Sequence, residues 1–403
     1  MFNKMRWQFF VAVGCIAVFM MFTIINTVEA GKEDSPIKIG LITWESGPGL
    51  GAGRLHKRGF QTAISYINEN GGILGGRKVV GLEAPQGATG ETAKSSALKL
   101  VMKDGIKALF GPMYTIAAPS GLEVARKYNI PLGTLTGGTW VFKQQYPAVV
   151  VPCGTARGRA KVNMKWAAKN DIKKVVLVMC DIGFNRDIEK TVKEEWGKAG
   201  SPVEVLDIIW FTYGQVELKK ELTKAVGYNP DLIWSEAWSI NVTLSLMKTL
   251  KELGYKGKTM LDADITSAAI KDVPKEITEG FYVNTEWLPD PKVPANKAFC
   301  DYWVKKWGVL PETNEESIFS ATVFILKSMD MAGTAGDGSK EELMKIGKAM
   351  HSIKYLSPHG EDYKLSKGGL VLWDKTCIAQ IDDGKFVVRD YIETTPNDLL
   401  PWL

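Results

Sequence analysis

The sequence predicts an α/β protein of two lobes, each a mostly parallel sheet flanked by helices, with three crossings of the chain between them. Strand and helix patterns alternate over residues 37–128 and start again over residues 159–261. This alternation is typical of parallel sheets that carry helices on both faces. The length of 403 residues also fits two domains. A protein of this design has a cleft between its lobes.

The first predicted unit is a strand, a glycine-rich loop and a helix. Residues 37–44 are mostly apolar, residues 45–53 hold four glycines, and residues 60–67 place apolar side chains on one helical face. The loop is too rich in glycine for regular structure. Similar patterns predict strands over 78–83, 106–110 and 130–132, and helices over 91–103 and 118–128.

A second run of strands and helices follows an apolar segment around Pro152. The predicted strands are 174–180, 203–210, 232–235 and 258–261, and the predicted helices are 159–168, 185–199, 216–226 and 240–253. Further helices are predicted over 295–307, 316–332 and 340–350. Apolar runs over 369–373, 377–381 and 386–391 predict a β-rich end, in which Asp382-Asp383-Gly384 is typical of a hairpin turn.

Each predicted lobe combines two separate parts of the chain. Lobe 1 is expected to comprise residues 36–152 and 286–358, and lobe 2 residues 153–285 and 359–403. The crossings are expected near Pro152, over 283–287 and over 357–363. Crossings of this kind can serve as a hinge between two lobes.

Residues 1–30 have the composition of an export signal. Lys4 and Arg6 precede a nearly unbroken apolar run, and small residues at Val28 and Ala30 fit a signal-peptidase site. We expect cleavage near Ala30 and a periplasmic or secreted protein. An uncleaved anchor helix is one alternative, because the apolar run is long for a signal. A lipid anchor at Cys15 is another.

The charges and the potential metal ligands exclude several classes of function. The net charge of +5 is small, and basic residues alternate with acids, so we expect no nucleic-acid partner. The three histidines do not stand at the spacing of metal ligands. The cysteines that remain after cleavage are widely spaced, which favours free thiols and leaves disulfide pairing open. They are Cys153, Cys180, Cys300 and Cys377.

The glycine loop has a second interpretation as a dinucleotide-binding motif. Residues 47–52 fit the pattern G-x-G-x-x-[GA], which would make the chain an NAD-dependent oxidoreductase. However, Pro48 falls inside the motif, and Glu83 lies further along the chain than the ribose-binding acid of such enzymes. The sequence also contains none of the common hydrolase motifs. We therefore expect neither catalysis nor a bound cofactor or metal.

Several short motifs resemble the leucine/isoleucine/valine-binding branch of ABC-transporter substrate-binding proteins. They are residues 37–41 leading into Ser46-Gly47-Pro48, the turn ENGGILGGR over 69–77, Phe110-Gly111-Pro112, and Asp181-Ile182-Gly183-Phe184. The resemblance covers almost everything after residue 30. It implies the type I periplasmic-binding fold, in which two lobes close on a ligand.

The resemblance also implies which residues hold the ligand. In relatives, hydroxyls and backbone N–H groups after the third and fourth strands hold a carboxylate, and the corresponding residues here are Met113, Tyr114, Thr115, Thr136, Gly137, Gly138 and Thr139. Amino-acid binders also have an acid in the first crossing, where this chain has Thr155-Ala156-Arg157. A second acid of the family has a counterpart in Asp264. The missing acid argues against an ordinary α-amino acid as the ligand.

Other candidates follow predicted strands, because open α/β sheets bind ligands at the carboxyl ends of their strands. For the acids the alternative role is helix capping, and for tryptophan it is core packing. Trp44, Trp140 and Trp234 also lie near strand ends and would suit a bulky or aromatic ligand. The further candidates are Ser46, Gly47, Asp181, Phe184, Glu236 and Trp238.

Together these observations predict the periplasmic solute-binding component of an ABC importer. The ligand is expected to be an amino acid, an amide, or a small or aromatic carboxylate, bound by hinge closure. The expected partner is an inner-membrane ABC permease, and the protein is expected to act as a monomer without a cofactor. The alternative is a ligand sensor of the same fold that signals to a membrane receptor or regulator.

Overall fold

The computed structural model describes residues 35–400, apart from 48, 88, 139–140, 142–144, 199 and 263–264. The predicted export signal, Thr139 and Asp264 therefore lie outside the described residues. Two separate sheets with helices packed on them confirm the predicted fold class. Within the described part of the chain, no helix is both long enough and apolar enough to span a membrane.

The first sheet has five parallel strands in the order β2-β1-β3-β4-β5, and the second has seven in the order β12-β11-β10-β9-β8-β6-β7. Only β11 and β12 introduce antiparallel pairing. The strands are β1 (Ile37–Thr43), β2 (Val79–Pro85), β3 (Leu109–Phe110), β4 (Leu132–Gly133), β5 (Val149–Val150), β6 (Lys174–Cys180), β7 (Glu204–Phe211), β8 (Leu232–Glu236), β9 (Lys258–Leu261), β10 (Tyr282–Thr285), β11 (Lys375–Asp382) and β12 (Lys385–Glu393).

Helices connect the parallel strands, as right-handed crossover connections require. In chain order they are α1 (Leu50–Glu69), α2 (Gly90–Leu98), α3 (Ala118–Tyr128), α4 (Ala156–Lys169), α5 (Gly183–Trp196), α6 (Lys219–Gly227), α7 (Ile240–Glu252), α8 (Ser267–Ile270), α9 (Lys275–Thr278), α10 (Pro294–Trp307), α11 (Thr313–Ala332), α12 (Lys340–Met350) and α13 (Pro396–Leu399).

We call the first sheet and its packed helices lobe 1, and the second sheet and its helices lobe 2. In lobe 1, α1 packs against α11, and α11 is buried on nearly all sides. In lobe 2, the sheet has one hydrophobic cluster on each face, because alternate residues of β6 point to opposite sides. Val175 and Leu177 join one cluster, and Val176 and Val178 join the other.

The hairpin prediction is confirmed at the end of lobe 2. β11 and β12 pair in antiparallel register, and Asp383 and Gly384 between them have φ of +51° and +68°. Two successive positive φ values are the conformation of a type I′ turn, which Asp-Gly favours.

Residues 369–373, predicted as a strand, do not form one. Leu370 and Val371 make only isolated bridges, to Val151 and Leu365. Gly369 has φ of +85°, which is incompatible with a regular strand. The apolar run instead reflects burial, since Leu370, Val371 and Trp373 pack in the core of lobe 1.

Two other predicted elements differ in extent. The predicted helix 91–103 is α-helical only as far as Leu98 and continues as one π-helical turn over Lys99–Lys103. The predicted strand 106–110 is reduced to Leu109–Phe110. The lobe boundaries given above remain a prediction, although the next strand after Trp373 already belongs to the second sheet.

Gly59 gives a test of the α1–α11 packing. A Cβ atom at Gly59 would lie 2.5 Å from the carbonyl oxygen of Glu315 on α11. We expect Gly59→Ala to lower the free energy of unfolding by about 1–3 kcal/mol, the usual cost of overpacking, although alanine normally favours helix. Urea denaturation followed by circular dichroism measures this change.

The matched control is Gly227→Ala at the end of α6, where an added Cβ would meet no atom within 4 Å. This variant should be as stable as the natural protein or more so. If Gly59→Ala has the same free energy of unfolding as the control, α1 does not pack on α11 as closely as described.

Candidate functional site

The carboxyl ends of the strands in the two sheets line a shared cavity of about 660 Å³. A cavity of this size is suited to a small organic molecule. Lobe 1 contributes Trp44, His56, Met113, Tyr114, Thr115, Ile116, Leu135, Gly137 and Asn314. Lobe 2 contributes Arg159, Asp181, Ile182, Gly183, Phe184, Tyr213 and Trp238, and the connecting segments contribute Cys153, Gly154 and Glu286.

The loop after β3 is fixed by two buried hydrogen bonds. The backbone N–H of Met113 donates to Oε1 of Gln86 at 2.7 Å, and Oγ1 of Thr134 donates to the carbonyl oxygen of Pro112 at 2.7 Å. Within this loop Tyr114 has φ of +74°. A left-handed conformation costs a non-glycine residue roughly 1–2 kcal/mol. The flanking contacts hold this conformation, and Tyr114 thereby lines the cavity.

The same edge of lobe 1 carries hydrogen-bond donors. No described residue accepts a hydrogen bond from the backbone N–H of Thr115 or Gly137, and both residues line the cavity. The hydroxyls of Thr115 and Thr136 lie 3.1 Å apart and bond to each other. These N–H groups face the cavity without a described acceptor, so they are suited to an acceptor group of a ligand, such as a carboxylate.

In lobe 2 the loop after β8 is held by a buried carboxylate. Oδ2 of Asp262 accepts from the backbone N–H of Ala237 at 2.9 Å and of Trp238 at 3.2 Å. Trp238 has φ of +53°, and its indole N–H donates to Oδ1 of Asn185 at 2.9 Å. Its ring meets that of Phe184 edge to face, with centroids 5.0 Å apart. These contacts fix two aromatic rings in the wall of the cavity.

Arg159 is a buried cation at the junction of lobe 2 with the connecting segment. Its guanidinium donates to the carbonyl oxygen of Asn284 at 2.9 Å and to Oε1 of Glu286 at 3.2 Å. It also lies 5.0 Å from the ring centre of Trp238 and 4.0 Å from Oε2 of Glu236. The same Oε1 of Glu286 accepts from the N–H of Gly154 at 3.0 Å. The guanidinium therefore joins α4, β10 and the crossing.

Glu236 lies beneath this cation and is fully buried. Its Oε1 accepts from the indole N–H of Trp234 at 2.8 Å. Burial raises the pKa of Glu236 to about 8, although Arg159 opposes the shift. At neutral pH the carboxyl group is therefore largely protonated and acts as a structural group behind the cavity wall.

His56 is the imidazole on the cavity wall, but it does not supply a cation. Its Nδ1 lies 2.8 Å from Oγ1 of Thr43, and burial lowers the pKa of His56 to about 3. The ring is therefore neutral at physiological pH. Arg159 is thus the cationic side chain among the described residues that line the cavity.

The described residues show no arrangement for metal or disulfide chemistry. No group of three potential metal ligands occurs among residues 35–400 as described. Cys153, Cys180, Cys300 and Cys377 are free thiols. Burial raises the pKa of the Cys153 thiol, which makes it a poor nucleophile despite its place at the cavity.

The two lobes touch each other around the cavity. The backbone N–H of Ser267, the first residue of α8, donates to Oε1 of Glu312 at 2.9 Å. Glu312 is at the same time the N-cap of α11 in lobe 1, where it forms a capping box with Glu315. One carboxylate therefore binds the N-termini of two helices, one from each lobe.

Comparison with known proteins assigns the chain. A family model described as periplasmic binding protein matches residues 36–385. The chain belongs to this family. Its matched relatives and structural neighbours are binding proteins and not enzymes, so the oxidoreductase interpretation of the glycine loop is wrong. The family is one of periplasmic proteins.

The relatives extend over nearly the whole chain. The Leu/Ile/Val-binding protein BraC3 of Rhizobium johnstonii is 29% identical over 340 residues, or 84% of this chain and 91% of the relative. A Leu/Ile/Val-binding protein homolog of Brucella suis is 23% identical over 357 residues and covers 87% of both chains.

The fold is similar to that of solved ABC-transporter proteins. A solute-binding protein of R. palustris in complex with benzoate has a TM-score of 0.79 at 17% identity, covering 91% of this chain and 99% of that one. LivJ of Streptococcus pneumoniae in complex with isoleucine has a TM-score of 0.78 at 18% identity, covering 89% and 100%. At this identity the likeness shows the fold alone.

The structure brings about half of the predicted ligand residues of this periplasmic binding protein together. Gly47 lines a smaller pocket next to the cavity. Thr136 and Gly138 are buried, Glu236 lies behind the wall, and Ser46 is exposed; none of the four lines the cavity. Those that line the cavity are Met113, Tyr114, Thr115, Gly137, Asp181, Phe184 and Trp238.

Arg159 was not among the predicted ligand residues, although Arg157, two positions earlier, was named in the stretch that lacks the family's acid. Arg157 lies near Glu194 and Glu195, at 3.8 and 3.9 Å, and does not line the cavity. The two arginines are two residues apart on α4 and therefore point in different directions. The helical spacing could have identified Arg159, because it lies on the same buried face of α4 as Ala156, Ala160 and Asn163.

The protonated state of Glu236 predicts a pH dependence of stability. The unfolded chain loses this proton near pH 4.5, whereas the folded protein keeps it to about pH 8. Stability should therefore fall as the pH rises through this window, since the folded state binds more protons. Glu236→Gln, which cannot ionise, should match the natural protein near pH 5 and exceed its free energy of unfolding near pH 9.

Urea denaturation at a series of pH values measures this difference, with Glu341→Gln at an exposed site of α12 as the control. A difference between Glu236→Gln and the natural protein that stays constant from pH 5 to pH 9 would show that Glu236 is ionised in the fold.

Proposed function

We propose that this protein is the solute-binding component of an ABC importer and that it carries a small carboxylate with an aromatic or bulky apolar group. The observation that carries this proposal is the cavity itself, which has on one side N–H donors without an acceptor among the described residues, and aromatic rings around it. The family assignment supports the binding role, and the side chains of this chain support the ligand class.

The carboxylate is assigned to the lobe 1 edge of the cavity. There the N–H groups of Thr115 and Gly137 have no described acceptor, and the Thr115 hydroxyl stands beside them. Hydrogen bonds from N–H groups to a charged oxygen are about twice as strong as those between neutral groups. An anion there also faces the N-terminus of α5, since Thr115 comes within 3.8 Å of the position of a Cβ on Gly183.

The rest of the cavity is suited to an apolar body. Five aromatic residues line it, and Met113, Ile116 and Leu135 add apolar surface. Edge-to-face contacts with a bound ring would resemble those that the protein already makes between its own rings. The aromatic residues are Trp44, Tyr114, Phe184, Tyr213 and Trp238.

The described acids of the cavity are already engaged, which disfavours an ammonium group. Both oxygens of Asp181 accept from Arg186 at 2.8 Å. Oε1 of Glu286 accepts from both Arg159 and Gly154, so this carboxylate already has a cationic partner. An amino-acid ligand would compete with an arginine for a carboxylate, whereas a simple carboxylate would not. Among the solved neighbours, one holds benzoate and another 3,4-dihydroxybenzoic acid, while LivJ holds isoleucine.

The importer role includes steps outside the described residues. Residues 1–30 direct export and are removed near Ala30, and the mature monomer binds its ligand in the periplasm. Lobe 2 closes on a ligand first held by lobe 1, and Glu312 holds the closed form through Ser267. An inner-membrane ABC permease recognises the closed form and takes up the ligand.

Two pairs of ligands test whether the cavity excludes an ammonium group. 3-Phenylpropanoate and L-phenylalanine differ in the ammonium group, as do 4-methylpentanoate and L-leucine. By isothermal titration calorimetry we expect each deaminated acid to bind at least about tenfold more tightly than its amino acid, because the described cavity acids are engaged. Tighter binding of both amino acids would contradict the proposed ligand class.

A substitution in the cavity wall tests whether the protein contacts an aromatic ring of the ligand. Phe184→Leu keeps an apolar side chain but removes the ring, and we expect it to weaken binding of 3-phenylpropanoate about three- to tenfold, in line with the strength of an aromatic pair. Binding of 4-methylpentanoate should change less. Phe386→Leu on the hairpin, outside the lining of the cavity, is the control. Equal effects of the two variants on ligand affinity would show that Phe184 does not contact the ligand.

Variants of Ser267 test whether its contact with Glu312 stabilises the closed form. Ser267→Pro removes the donating N–H, while proline at the first position of a helix is well tolerated and leaves the cap of α11 intact. Ser267→Ala keeps that N–H and controls for the hydroxyl. We expect only the proline variant to bind ligand several-fold more weakly and to show a larger radius of gyration by X-ray scattering. Identical behaviour of both variants would contradict this role of Glu312.

Measuring ligand uptake by cells distinguishes an importer from a sensor. Deletion of the gene should abolish accumulation of a radiolabelled ligand by cells. If uptake persists while a transcriptional response to the ligand is lost, the protein is a sensor.

A further inference from the structure

A second, smaller pocket of about 200 Å³ lies next to the cavity, and Tyr114 and Trp238 line both. It is also an interlobe pocket, because α1 of lobe 1 and α7 of lobe 2 both contribute to it. A Cβ atom on Gly51 of α1 would come within 3.0 Å of Cδ1 of Ile240 on α7. The two helices thus meet at their first turns.

Both helices begin at this pocket without a side-chain cap. The N-cap residues are Gly49 for α1 and Ser239 for α7, and neither makes a capping hydrogen bond. Neither helix has an acidic residue in its first turn. Such N-termini carry partial positive charge and N–H groups that point away from the helix. Here the N-termini of two helices, of 20 and 13 residues, lie at one pocket.

Ser239 provides an independent indication of a ligand. It lines the pocket, only 5% of it is exposed, and no described residue forms a hydrogen bond with its hydroxyl. Serine at an N-cap normally accepts from the N–H two or three residues further on. The Ser239 oxygen is not among the fully enclosed atoms that lack a partner, so it is accessible from the pocket and can form a hydrogen bond with a bound molecule.

The charges around the pocket select the sign of that molecule. Arg54 lines the pocket and forms no ion pair with any described residue, and Asn241 adds an amide. None of the described residues that line the pocket is an aspartate or a glutamate. Two helix N-termini, a hydroxyl and a guanidinium together form a set of donors with one net positive charge.

We propose that this pocket binds an oxyanion, of the carboxylate, sulfate or phosphate type, between Arg54, Ser239 and the first turns of α1 and α7. Because its donors come from both lobes, the bound oxyanion also stabilises the closed arrangement. The oxyanion is either a free inorganic ion or a second acidic group of the molecule in the cavity. Its coupling to the cavity ligand rests on the proposed function, whereas oxyanion binding does not.

Sulfate is the probe for the free ion. The protein is titrated with sodium sulfate by isothermal titration calorimetry at constant ionic strength, with sodium chloride as the replaced salt. We expect Arg54→Gln to weaken sulfate binding about tenfold, the usual effect of losing one charge-assisted hydrogen bond. Ser239→Ala should weaken it about threefold and leave the melting temperature without sulfate unchanged, since no described residue forms a hydrogen bond with that hydroxyl.

The control is Lys305→Gln, which removes one positive charge from an exposed site of α10. Equal sulfate affinity in Arg54→Gln, Ser239→Ala and the control would overturn the sulfate arm. The second arm compares benzoate with terephthalate, which has an additional carboxylate. If Arg54→Gln weakens terephthalate but not benzoate, the oxyanion belongs to the cavity ligand.

The two arms together decide the proposal. A response of either sulfate or terephthalate to Arg54→Gln supports the oxyanion site and identifies its source. The absence of a response in both arms overturns it. If benzoate and terephthalate fail to bind at all, the proposed ligand class fails, while the sulfate arm still tests the oxyanion site alone.

Discussion

The wall of the cavity in lobe 2 depends on one buried cation. Arg159 joins α4 to the carbonyl oxygen of Asn284 and to Glu286 in the connecting segment, and its guanidinium lies beside the indole of Trp238. Removing one partner of a buried ion pair typically costs several kcal/mol, because the remaining charge is left uncompensated. This interaction therefore ties the shape of the ligand site to the place where the lobes are connected. It also places a positive charge against Oε1 of Glu286, which makes this carboxylate a less favourable site for a ligand cation.

Strained backbone conformations occur on both sides of the cleft. Tyr114 in lobe 1 and Trp238 in lobe 2 are both non-glycine residues with positive φ, and both line the cavity and the adjoining pocket. A backbone N–H of each loop donates to a buried side chain: that of Met113 to Oε1 of Gln86, and that of Trp238 to Oδ2 of Asp262. Strain of this kind persists where the surroundings determine the conformation, and it is common at ligand sites. The two residues thus form a rigid boundary between a mainly apolar cavity and a pocket of hydrogen-bond donors.

The sequence could predict the parts of this protein that follow from periodicity. Alternation of strands and helices gave both sheets, and the positions after strands gave Asp181 and Trp238, because parallel strands bring their carboxyl ends to one edge. The family resemblance, and not the periodicity, gave Thr115. The orientation of single side chains could not be obtained in this way. The side chain of Glu236, at the end of its strand, faces the core and not the cavity. Arg159 was overlooked beside Arg157, because residues two positions apart in a helix face nearly opposite sides. Residues 369–373 show the related difficulty that an apolar run reports burial but does not distinguish a strand from a buried loop.

The central claim is that the interlobe cavity binds a carboxylate without an ammonium group. The most direct measurement is to purify the protein from its native periplasm, denature it and identify the released small molecule by mass spectrometry. The account predicts an aromatic or bulky apolar carboxylic acid at about one molecule per protein chain. Release of an amino acid or another compound with a free ammonium group would contradict it.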